Sequence, residues 1–80
     1  ASVFVKIIHI KGDVKVRYGL EEKWQSASIG LLLKEIDSII SGEKSEAVLR
    51  FENGETFTLG SNSMLDIGDL RKIYEKKLLF

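Results

Sequence analysis

Residues 28–42, Ser28-Ile29-Gly30-Leu31-Leu32-Leu33-Lys34-Glu35-Ile36-Asp37-Ser38-Ile39-Ile40-Ser41-Gly42, fit two incompatible templates. Ile29, Leu33, Ile36 and Ile40 recur at the spacing of one helix face, with Ser28 placed to cap the helix and Gly42 to stop it. Yet the glycines, at 12, 19, 30, 42, 54, 60 and 68, often fall about one strand-plus-turn apart, the pattern of a chain of short strands. Periodicity leaves both templates open. On the first, a helix interrupts the chain; on the second, the chain is β almost throughout.

The flanking segments favour strands. Upstream, Val3, Val5 and Ile7 alternate with polar residues, and then the phase slips so that Ile8 and Ile10 carry the apolar face. A slip inside a strand signals a bulge or burial on both faces. After Lys11-Gly12-Asp13 the alternation resumes with Val14, Val16 and Tyr18. A three-residue loop there predicts a hairpin with Ile10 opposite Val14 and Ile8 opposite Val16. Gly19 to Lys23 is polar and turn-like, and Trp24 follows.

Downstream, Arg50-Phe51-Glu52-Asn53-Gly54-Glu55-Thr56-Phe57 carries the Asn-Gly pair of a tight hairpin. A two-residue turn would pair odd residues with even ones, yet Ala47, Leu49, Phe51, Phe57 and Leu59 are all odd. Such a turn would split the apolar rows between two faces. Two solutions keep them together. One is a three-residue loop, Glu52-Asn53-Gly54, with Gly54 left-handed; the other is an arc joining strands of different layers. Beyond Gly68, Asp69 is placed to cap a helix that buries Leu70, Ile73, Tyr74, the stem of Lys77, and Leu78.

Composition narrows the function classes. Eighty residues make one small domain, which buries roughly 60% of its unfolded surface. Twelve basic and twelve acidic residues cancel, and the longest like-charge runs are pairs. That argues against a nucleic-acid footprint and against a basic membrane-surface patch. No cysteine is present, so disulfides and thiolate metal sites are ruled out. The longest apolar run, Ile29 to Leu33 with its glycine, is far short of the roughly 18 residues of a membrane span.

The order of features from Trp24 to Ile67 resembles the FecR domain, a bacterial module of extracytoplasmic regulators and envelope proteins. The residues that carry the resemblance are Trp24, Gly30, Leu33, Asp37, Ile39, Ser41-Gly42, Ser45-Glu46-Ala47 and Leu49-Arg50-Phe51. They continue through Asn53-Gly54, Leu59-Gly60-Ser61-Asn62-Ser63 and Leu65-Asp66-Ile67, and "KGDVKV" (residues 11–16) resembles the family's first hairpin. Two positions depart from the family pattern: Ile36 stands where glycine usually precedes the aspartate, and Asn53 where aspartate is common. The resemblance implies that residues 33–40 are extended, and that 1–80 is a single FecR-like domain lacking the family's last strands. It further implies a periplasmic or otherwise extracytoplasmic location and a role in signalling through protein contacts.

No residue pattern points to catalysis. His9, the only histidine, lies between Ile8 and Ile10 and reads as a strand residue on the opposite face. Asp13, Asp37, Asp66 and Asp69 sit beside turns, where carboxylates accept backbone bonds. "FENGE" and "LGSNS" lack calcium-loop spacing, and "GEKS" lacks the leading half of a phosphate loop. The expectation is therefore no catalytic residue, no metal and no cofactor.

The fold expected is mainly β: a small two-layer antiparallel sandwich or flattened β-coil with a C-terminal helix. Its core is Val5, Ile7, Ile10, Val14, Val16, Trp24, Leu33, Ile39, Ala47, Leu49, Phe51, Phe57, Leu59 and Leu65. The function expected is a non-enzymatic protein-interaction module, binding a protein partner by strand addition at an edge carrying few charges beyond Lys6, Lys15 and Arg17. Tyr18 and Trp24 are the candidate partner-binding residues. The alternative is a carbohydrate or cell-wall binding module using Tyr18, Trp24 and Phe57.

Overall fold

The computed structural model describes residues 4–70 and residue 72. Eight strands run in order: β1 (Phe4–Lys11), β2 (Val14–Arg17), β3 (Gln25–Ser26), β4 (Leu32–Lys34), β5 (Ser38–Ser41), β6 (Glu46–Arg50), β7 (Thr56–Leu59) and β8 (Met64–Asp66). They form two antiparallel four-stranded sheets, ordered β4-β1-β6-β7 and β3-β2-β5-β8. The inward side chains of both sheets make one core, with Val5, Ile7, Leu33, Ala47, Leu49 and Leu59 from the first and Val14, Val16 and Ile39 from the second. Phe51, Ile67 and Leu70 complete it. The mainly β reading and the two-layer sandwich are therefore what the chain adopts.

The ambiguous segment resolves into β4 and β5. Leu33 is fully buried, whereas Ile29 and Ile36 are 65% and 70% exposed, which no helix burying all three could produce. Asp37 forces the break. Its N–H donates to the Lys34 carbonyl at 3.0 Å, and its Oδ2 accepts the Lys34 N–H at 2.8 Å. Ile36 thus sits in a tight turn without the glycine of the FecR pattern, its φ staying negative.

The Asn53-Gly54 corner is the three-residue loop. Arg50 pairs with Thr56 and Leu49 with Phe57, while Gly54 adopts φ +91°. The Gly54 N–H donates to the Phe51 carbonyl, and Asn53 Oδ1 accepts the Glu55 N–H at 3.0 Å. The phase slip in β1 is a bulge: the register shifts between Ile7 and His9, leaving Ile8 as the extra residue. His9 is exposed, as a strand residue on the outer face should be.

Three expectations need correction. Lys11-Gly12-Asp13 does not close a hairpin; β1 and β2 lie in different sheets, and Ile10 pairs with Ala47 rather than Val14. Equal parity also suits an arc, because both strands then point the same residues into the core from opposite sides. Here the corner is drawn across by the Asp13 N–H bond to Ser45 Oγ (2.8 Å) and the Gly42 N–H bond to the Asp13 carbonyl (2.9 Å). Trp24 is half-buried and stands outside the core cluster. The C-terminal helix is present, its described residues being 67–70 and 72, but Asp69 lies within it rather than capping it. Leu70 is buried as expected, whereas Ile73, Tyr74, Lys77 and Leu78 lie outside the described residues.

The topology has an internal two-fold. Strands β1–β4 and β5–β8 trace the same path (an arc, a hairpin, a second arc, and a closing pair) with the two sheets exchanged. Pairing registers agree residue by residue. Ile7 faces Leu49 as Ile39 faces Val16, and Ile10 faces Ala47 as Ser41 faces Val14. Val5 faces Leu33, and in the second half the Ile67 N–H bonds the carbonyl of Asp37. The bulge at Ile8 is the main departure from this correspondence.

Two substitution series probe the corners. Asp37→Ala removes both acceptors for the Gly19 and Lys34 amides, and should lower the urea-unfolding free energy by roughly 2–4 kcal/mol. Gly12→Ala and Gly54→Ala each force a left-handed alanine, costing about 1–2 kcal/mol. A Cβ at Gly12 would also strike Ser45 Oγ, whereas the space at Gly54 is open. Gly12→Ala should therefore be the more destabilising of the two in the same denaturation assay.

Candidate interaction surface

Among the described residues the two open sheets have four edge strands, and three of these are guarded. In β4, the Lys34 amide and carbonyl are occupied by Asp37. Strand β3 is two residues long. In β8, Asp66 carries a carboxylate that accepts the Ser38 hydroxyl at 2.6 Å, and the helical turn ends pairing at once. Natural sheets use short edges, charges and local cover to prevent stray pairing.

Strand β7, Thr56-Phe57-Thr58-Leu59, has none of these guards: no charge, no proline and no bulge. The Phe51 N–H bond to the Glu55 carbonyl sets the alternation of the β6–β7 ladder. Leu49–Phe57 and Ala47–Leu59 are then hydrogen-bonded pairs, while Thr56 and Thr58 turn their amides and carbonyls away from β6. Among the described residues no strand pairs with that side. Lys6, Lys15 and Arg17, expected to guard edges, sit instead on the central strands β1 and β2. Which strand lies outermost is a property of the long-range order, so local composition could not locate it.

The structure separates Tyr18 from Trp24. Tyr18 follows Val14 and Val16 in phase and packs against the core, as does half-buried Phe57. Trp24 lies on the outer face of the second sheet, where the Arg17 guanidinium stands 4.7 Å from its ring centroid. This is a cation–π contact. The three aromatics therefore do not form a common platform. Arg17 Nε is enclosed and has no hydrogen-bond partner among the described residues. The same arginine borders an open groove of about 710 Å³, together with Leu20, Glu35, Ile36, Asp66 and Asp69.

Of the aspartates expected to accept backbone bonds at turns, Asp37 does so with both carboxylate oxygens, whereas Asp66 lies in β8 and accepts a hydroxyl, and Asp69 lies in the helix. Asp37 is 5% exposed and also accepts the Gly19 N–H at 2.9 Å. Among the described residues no group of three or more His, Cys, Asp or Glu side chains is placed to hold a metal ion. No helix among them is long and apolar enough to cross a membrane.

The Trp24–Arg17 stack can be read optically. Arg17→Ala should shift Trp24 emission to longer wavelength and increase acrylamide quenching, at a stability cost of no more than about 1 kcal/mol. Unchanged emission would mean that the ring is not covered by Arg17 in solution. Comparison with known proteins finds no matching family model, no matching curated protein and no matching solved structure.

Proposed function

We propose that this chain is a non-enzymatic protein-interaction module that accepts an extended partner segment as an additional strand beside β7. One observation carries this reading: the outward amides and carbonyls of Thr56 and Thr58 lie on an edge free of charge, proline and bulge. In strand addition the backbone bonds supply affinity and the alternating side chains supply selectivity. The FecR resemblance supports a signalling role outside the cytoplasmic membrane.

A displayed library of extended peptides alternating apolar and polar residues tests the reading. Bound peptides should perturb backbone amide resonances at Thr56–Leu59. Thr58→Pro, which deletes one outward donor, should weaken binding about tenfold, the equivalent of one backbone bond. Binders that map instead to the groove beside Arg17 and Leu20 would overturn it.

A further inference from the structure

We infer that a second copy of this chain is itself a partner for the β7 edge, giving a two-fold dimer in which the β4-β1-β6-β7 sheets of both copies join into one. The inference rests on the edge reading above and adds the identity and register of the occupant. Only Thr56 and Thr58 of β7 direct backbone groups outward. Antiparallel self-pairing must satisfy both. A two-fold axis at Phe57 does so, because Thr56 of each copy then exchanges both bonds with Thr58 of the other.

That register is self-complementary in its side chains. Phe57 lies opposite Phe57 of the second copy at a non-hydrogen-bonded pair, where Cα atoms approach to about 4.5 Å. The two half-buried rings would cover one another at the margin of the core. Aromatic pairs opposed across strands are among the stabilising sheet contacts. Glu55 falls opposite Leu59, so no like charges meet. A Cβ built at Gly54 or at Gly60, on either side of the strand, would meet no atom within 4 Å. The zero formal net charge removes long-range repulsion between copies.

Four residues a side make a small interface, and the pair should be weak, with association appearing at high micromolar concentration. Sedimentation over a concentration series from about 20 µM to about 1 mM should show the apparent mass rising from 9.0 kDa toward twice that value. In the same series, hydrogen exchange at the Thr56 and Thr58 amides should slow with concentration while groups around Arg17 do not change. Thr58→Pro, or Thr56→Lys with Thr58→Lys should the proline variant not fold, should abolish both effects. A chain that stays monomeric throughout, or a dimer that survives these substitutions, overturns the inference. If library peptides still bind at Thr56–Leu59 of a strictly monomeric chain, strand addition stands and the second copy is excluded as its partner.

Discussion

The buried carboxylate of Asp37 is the point on which this sandwich closes. One oxygen holds the Gly19 amide in the turn beyond β2, and the other holds the Lys34 amide that ends β4. The backbone carbonyl of the same residue takes the Ile67 amide that starts the helical turn. Three separated segments thus meet at one residue, on a side chain whose burial is tolerable only because its oxygens are bonded. At the opposite end serines do comparable work. Ser45 joins Asp13 to the β5–β6 corner, and Ser41 and Ser61 tie in the chain between β7 and β8. Between these polar clamps the core needs no polar atom of its own.

Much of this was legible in the residues because period and parity are local. The slip from Ile7 to Ile8 left a bulge or two-sided burial, of which the bulge is what forms, and the odd-numbered rows around Asn53-Gly54 excluded a two-residue turn. Hairpin and arc remained open there, and at Lys11–Asp13 the hairpin reading failed, because parity reports only which side chains face the core. It does not say which sheet holds the strand. Sheet membership is set by distant contacts such as Asp13 with Ser45.

The internal two-fold also left a mark. Lys11-Gly12-Asp13-Val14-Lys15-Val16-Arg17-Tyr18 aligns with Lys44-Ser45-Glu46-Ala47-Val48-Leu49-Arg50-Phe51 in apolar pattern and in both flanking basic residues. The match is short, and the loops beyond it differ in length, which is why it speaks only once the strand pairings are known. The candidate surface was less legible still. Tyr18 and Trp24 stand on either side of the same Gly19–Lys23 turn but belong to opposite faces of the sheet. The unguarded edge became visible only when the strand order was in hand. Its residues, two threonines alternating with Phe57 and Leu59, read equally well as a central strand.

The two-fold arrangement has a kinetic consequence. Each half contributes two strands to each sheet, and the central pairs, β1 with β6 and β2 with β5, join one half to the other. Neither half can cover its apolar residues with local partners alone. The chain must close long loops before either sheet acquires its middle, so the entropic cost comes before the stabilising contacts. At the centres of the two sheets these cross-half pairings set Ile7 against Leu49 and Val16 against Ile39. Each of those pairs takes one side chain from either half, so neither sheet has a centre until the two halves meet.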